Sequence, residues 1–124
     1  MELKTKKVLI IDDDSRNIFA LKAVLKAKKY SCLSANSAQE GFDILSADKD
    51  IAVVLMDMMM PDMDGYQAMA KMKSDPEMKE IPVIAVTAQA MLGDKERCLA
   101  AGAKGYVSKP VNVDELVLQL NNYI

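Results

Sequence analysis

Five short apolar runs rich in β-branched residues alternate along the chain with segments of helical period, and this alternation constrains the fold more than any other feature. The runs are KVLII at 7–11, YSCLSA at 30–35, IAVVLM at 51–56, PVIAVT at 82–87 and KGYVS at 104–108. Between the first two, Ile18, Leu21, Val24 and Leu25 recur at helical spacing and predict a helix from about Ser15 to Lys28 with one buried stripe. Ser37 and Glu40 have capping-box spacing, and the segment from Gly41 to Ala47 continues as a second helix. A third helix is expected from Gly65 to Ser74, stopped before Pro76. A fourth spans Met91 to Ala101, with Gly102 placed to end it. A fifth is capped by the segment Asn112 to Glu115, with Val113, Leu116, Val117 and Leu120 facing inward.

Strands alternating with helices describe an α/β domain, because each crossover is long enough to bring the chain back parallel to itself. The first, third and fourth runs are almost wholly apolar, as central strands covered on both faces must be. The second run is more polar and the fifth is short, so these two are the edges. Right-handed crossovers then give a doubly wound, five-stranded parallel sheet of order 2-1-3-4-5. Helices one and five cover one face, and two, three and four the other. With 124 residues, 51% of them hydrophobic, the chain suits one domain over 1–124 and is too short for two. No internal repeat, linker or low-complexity tract interrupts it.

Sixteen Lys and Arg nearly balance eighteen Asp and Glu, and no basic cluster has aromatics interleaved. Nucleic-acid binding is therefore not expected. No run approaches membrane-spanning length, and the charges of MELKTKK are not followed by an apolar stretch, so a cytoplasmic protein without a membrane partner is expected. Cys32 and Cys98 form no C-x-x-C and read as two small buried hydrophobes.

Ligands of open parallel sheets bind beyond the carboxyl ends of the strands, where strand order reverses. That point lies here between strands one and three. Asp12 and Asp13 leave strand one there and Asp57 leaves strand three, while Thr87 ends strand four and Lys109 follows strand five. Three carboxylates at close quarters repel unless a cation compensates. Mg²⁺ is the economical one, since carboxylates and one backbone carbonyl would leave coordination positions open to a phosphoryl group. Asp57 can then attack phosphorus to give an acyl phosphate. Lys109 would neutralise charge during transfer, and Thr87 can donate its hydroxyl to a phosphoryl oxygen afterwards.

VLIIDDDSRN, VVLMDMMMPDMDGYQ, PVIAVTA and GYVSKPVNVDEL together resemble the receiver domain of bacterial two-component response regulators, over essentially the whole chain. The resemblance implies a flavodoxin-like fold and a phosphoacceptor, Asp57, that takes its phosphoryl group from a histidine kinase or a phosphotransfer domain. It implies Mg²⁺ held by Asp12, Asp13, Asp57 and the backbone carbonyl of Met59. It makes Thr87 the switch hydroxyl, Lys109 the phosphate-binding lysine and Tyr106 the aromatic whose rotamer follows phosphorylation. Ala88 matches the small residue beside the site, Lys109-Pro110 matches a cis peptide, and Met59 and Gln89 flank the pocket where the family tunes hydrolysis. A downstream protein partner is expected on the surface of helix four, strand five and helix five. Such a domain is no conventional enzyme, although it supports its own phosphorylation and dephosphorylation. DDDSRNIFAL is also similar to receivers at the C-terminal end of hybrid histidine kinases, so a stand-alone protein and an excised domain are both open.

Plainer readings compete at several positions. Aspartates at strand ends often cap the next helix, and for DDD alone capping and metal binding stay open; Asp14 is the one best explained as a cap or a solvated acid. Asp62 and Asp64 belong to PDMDG, a turn signature. Tyr106 on a short edge strand can simply pack. Adjacent Met58, Met59 and Met60 cannot all point inward. An alternative function is a Mg²⁺-dependent phosphohydrolase with an aspartyl nucleophile, but Met59 occupies the place of its general acid and the chain has no room for a cap domain. A flavin mononucleotide binder is disfavoured because Asp12 to Asp14 would repel phosphate.

Overall fold

The computed structural model describes residues 6–88 and 93–124. The apolar runs form strands β1 (Lys7–Ile11), β2 (Ser31–Ala35), β3 (Ile51–Asp57), β4 (Val83–Thr87) and β5 (Gly105–Ser108). All neighbours pair in parallel, in the order β2-β1-β3-β4-β5. The connecting segments form helices α1 (Ser15–Ala27), α2 (Ala38–Ala47), α3 (Gly65–Lys73), α4 (Asp94–Ala100) and α5 (Val113–Leu120).

The two faces of the sheet carry separate cores, as an all-parallel sheet requires. On one, Phe42 and Leu45 of α2, Met69 and Met72 of α3 and Cys98 of α4 pack against Leu9, Val54 and Ala85. On the other, Ile18, Leu21 and Leu25 of α1 and Leu116 and Leu120 of α5 cover Val8, Ile10, Leu55, Ile84 and Val107. Val24, Val113 and Val117 are only half-buried, so the inward stripes of α1 and α5 are narrower than their periodicity suggests. Cys32 is half-buried and Cys98 buried, both as free thiols.

Local chemistry sets the element ends. Tyr30 is not part of β2, because its N–H donates to the Leu25 carbonyl and closes α1. Ser37 caps α2 by accepting from the Glu40 N–H at 3.2 Å, but the Glu40 carboxylate returns to the Asn36 N–H, not to that of Ser37. The full capping box belongs to α3, where Asp64 accepts from the Gln67 N–H and Gln67 from that of Asp64. Gly102, at φ 116°, takes the left-handed conformation that ends α4. The expected start of α4 at Met91 lies outside the described residues, as does Gln89. No helix among the described residues is long and apolar enough to cross a membrane.

Candidate functional site

The carboxyl ends of β1, β3 and β4 meet at one rim because the strands pair in register, Ile11 opposite Met56 and Asp57 opposite Val86. Asp12 follows β1 directly, and its N–H donates to the Ala35 carbonyl, which holds the chain against β2 as it turns away. Its side chain is buried, and Oδ1 accepts from the Asp14 N–H at 2.8 Å. Asp13 is exposed at the mouth. Asp14 caps α1 by accepting from the Arg16 N–H at 2.9 Å, which explains why it turns away from the other two.

Asp57 is the last residue of β3 and is buried. Its Oδ1 accepts from the Met59 N–H at 3.1 Å, so the backbone of the loop that follows is folded over the carboxylate. That loop is pinned at both ends. The Met58 N–H donates to the Val86 carbonyl at 3.2 Å, and the Gly65 N–H to the Met58 carbonyl at 3.3 Å. A side chain at Gly65 would bring its Cβ within 2.8 Å of the Met58 Cα, so only glycine permits this approach. Met58 and Met60 are buried while Met59 is 53% exposed, which leaves Met59 as the methionine at the pocket's edge. Asp62 turns the loop at φ 65°, a conformation aspartate tolerates better than most residues.

One oxygen each from Asp12, Asp13 and Asp57 lie within 4.8 Å of one another. The Lys109 ammonium reaches the same place, 3.3 Å from Asp12 Oδ2 and 3.8 Å from Asp57 Oδ1. It is delivered by the turn after β5, where the Lys109 N–H donates to the Thr87 carbonyl at 2.8 Å and the Lys109-Pro110 peptide is cis. Burial pushes the Asp57 carboxyl up to about 6; the charge of Asp12 adds to this, and the Met59 N–H and Lys109 oppose it. A carboxylate held above its ordinary range is one whose neighbours only partly offset the cost of burying its charge. An all-oxygen donor set of this compactness fits a hard divalent cation.

Thr87 ends β4 and is buried to 1% exposure. Tyr106, two strand positions from the rim, is half-buried, and its hydroxyl donates to Asp94 Oδ2 at 3.0 Å. Asp94 and its second neighbour, Tyr66, were not among the residues the sequence singles out. No motif flags them, since their proximity depends on how α3 packs beside α4.

The chain is similar to known proteins both in sequence and in fold. The model of the response regulator receiver domain family matches residues 8–121. The polar-differentiation response regulator DivK of Brucella ovis is 34% identical over 120 residues, covering 97% of each chain. The receiver domain of a sensor histidine kinase from Pseudomonas aeruginosa, solved with a magnesium ion coordinated in its active site cleft, superposes with a TM-score of 0.84 at 28% identity, covering 95% of this chain and 96% of the other. The chemotaxis protein CheY4 of Vibrio cholerae superposes with a TM-score of 0.85 at 24% identity over 96% of this chain and 98% of its own, a likeness of fold.

Proposed function

Because the chain belongs to the response regulator receiver domain family, we propose that Asp57 is the residue phosphorylated in two-component signalling, and that Asp12, Asp13, Asp57 and the Met59 carbonyl hold Mg²⁺ beside it. One observation carries this reading: a buried carboxylate at the end of a central strand shares its pocket with two further carboxylates and one ammonium.

In the transfer, an Asp57 oxygen forms the O–P bond as the N–P bond of the donor's phosphohistidine breaks. The leaving imidazole keeps the electron pair and takes up a proton. Lys109 stands beside Asp57 already and offsets the charge gathered on the transferred phosphoryl group. The Met59 N–H orients the nucleophile through Oδ1. Thr87, at the end of the adjacent strand, is the hydroxyl to be drawn toward the new phosphate. The cation, when bound, supplies neutralisation of the carboxylates and of the phosphoryl oxygens.

The donor is a histidine kinase or a phosphotransfer domain. An apolar groove of about 240 Å³ between α1 and the β5–α5 turn, lined by Leu21, Val24, Lys109 and Pro110, supports docking of its helices beside the pocket. The switch then acts through Thr87 and Tyr106 on the face of α4, β5 and α5, where Leu99 and Leu118 are exposed and available to a downstream protein. This reading includes a single receiver domain over 1–124, a cytoplasmic setting, and self-catalysed phosphorylation and dephosphorylation.

Intact-mass spectrometry after incubation with acetyl phosphate and Mg²⁺ tests it, beside a sample with excess EDTA and an Asp57→Ala variant. One added phosphoryl group that requires both the metal and Asp57 is expected. Labelling that persists in Asp57→Ala would overturn the assignment.

A further inference from the structure

Three acidic side chains among the described residues are buried: Asp12, Asp57 and Asp94. The first two belong to the pocket, and the third does not. Asp94 opens α4, a position at which an aspartate ordinarily faces water and complements the helix dipole. Here the preceding Gly93, at φ 85°, makes no side-chain cap, and the Asp94 carboxylate lies inside the fold at 5% exposure. A carboxylate is buried at a cost unless hydrogen bonds replace its water. Two tyrosines do so. The Tyr106 hydroxyl donates to Oδ2 at 3.0 Å, and the Tyr66 hydroxyl lies 3.5 Å from Oδ1, a longer contact it divides with the Cys98 sulfur, also at 3.5 Å. The Arg97 guanidinium sits over the Tyr66 ring, 5.0 Å from its centre.

One carboxylate thus joins α3, α4 and β5, and its shortest bond is to the tyrosine proposed above as the switch. Rotation of the Tyr106 ring must either break that bond or carry the first turn of α4 with it. An acid needed only to open the helix would face water at its N-terminal end, and this one faces a tyrosine of β5.

We propose that Asp94 is a positioning residue of the switch, holding Tyr106 to the first turn of α4 so that ring and helix move as one and the unphosphorylated arrangement is favoured. The inference rests on the phosphoacceptor reading of Asp57. It adds to that reading a residue that touches neither the metal nor the phosphoryl group, yet sets how readily their arrival is transmitted.

The test uses the full chain labelled with fluorotyrosine, its resonances assigned through single Tyr→Phe variants, and titrated with beryllofluoride in the presence of Mg²⁺ by fluorine NMR. In Asp94→Ala, before any beryllofluoride is added, the Tyr106 resonance should move toward the position it reaches in the saturated wild type. The half-saturating beryllofluoride concentration should fall roughly three- to tenfold, the size of one net hydrogen bond. Asp94→Asn, which keeps an acceptor and the side-chain volume, should lie between, and it guards against a fold lost in the alanine variant. A role in stability alone would lower the melting temperature and move neither reading. Wild-type saturation with Tyr106 and the half-saturation point unmoved in both variants overturns the role of Asp94 and leaves that of Asp57 intact. A wild type that takes up no beryllofluoride overturns the acceptor reading, and the switch role of Asp94 with it.

Discussion

Lys109 Nζ donates to Asp12 Oδ2 at 3.3 Å across 97 positions of sequence, and the pair is the bridge between the last strand and the first. The same ammonium stands 3.8 Å from Asp57, so it compensates two buried carboxylates at once. Lys109→Met should slow labelling by acetyl phosphate roughly 10²-fold, the usual effect of removing a group that neutralises transferred charge. It should also lower stability in EDTA by about 1–3 kcal/mol, with Mg²⁺ restoring part of the loss. A labelling rate equal to wild type would remove Lys109 from the transfer step.

Asp57 should destabilise the metal-free protein. Its folded carboxyl is raised from 3.8 to about 6, chiefly by burial. A raised folded value means that the group's contribution is fully present below 3.8 and lost as pH rises through about 6. Asp57→Asn should therefore be more stable than wild type in EDTA at neutral pH, by about 1–3 kcal/mol, and the difference should close at about pH 4. Urea denaturation of both proteins across this range reads it. Saturating Mg²⁺ should reverse the order, since it stabilises the wild type by mass action. An Asn variant no more stable than wild type without metal would count against an only partly compensated charge at this site.

Gly65→Ala addresses the loop that shapes the pocket. Its new Cβ would press on the Met58 backbone, which cannot rotate away as a side chain can. A loss of about 1–3 kcal/mol is expected, together with weaker Mg²⁺ binding, because Met58 is bonded to β4 on one side and Met59 to Asp57 on the other. Urea denaturation and a Mg²⁺ titration check the two effects separately. Asp64→Ala, which removes the α3 capping box, should cost about 1 kcal/mol and leave Mg²⁺ affinity intact.

Tyr66 and Tyr106 should ionise late. The Tyr66 hydroxyl is pushed up to about 12 by its contact with Cys98 and by burial, and that of Tyr106 to about 12 by burial and the Asp94 bond. Both start from 10.0, so their contribution to stability is intact below that value and lost as pH rises toward about 12. The loss of stability over this interval should be shallower in Tyr66→Phe than in wild type. Tyrosinate absorbance followed during alkaline titration measures it.

The sheet order was legible because the apolar content of each run reports how deeply its strand lies, and Val8, Val53, Val54 and Ile84 are indeed fully buried. The positions of Asp12, Asp57, Thr87 and Lys109 were legible because each stands where an apolar run ends, and parallel strands bring such ends to one rim. Other features depend on packing that no local pattern encodes. Three consecutive methionines look alike in sequence, yet Met58 packs against Gly65, Met60 is buried and Met59 is left exposed. PDMDG signals a turn, yet Asp64 is also the first half of a capping box whose second half is Gln67. Asp94 looks like any acid at the start of a helix until α3 brings Tyr66 beside it.

The order of the strands carries a consequence for how the pocket comes into being. β1 lies between β2 and β3, so the three acids are gathered by the first half of the chain. Lys109 follows the edge strand β5, which joins the sheet through β4. During synthesis, the acids are exposed to one another before their ammonium has been made, and contacts this distant in sequence form late because of the loop they must close. The pairing of Lys109 with Asp12 is therefore made only by a chain whose sheet is complete to its last strand, so this one ion pair reports that the two ends of the fold have met.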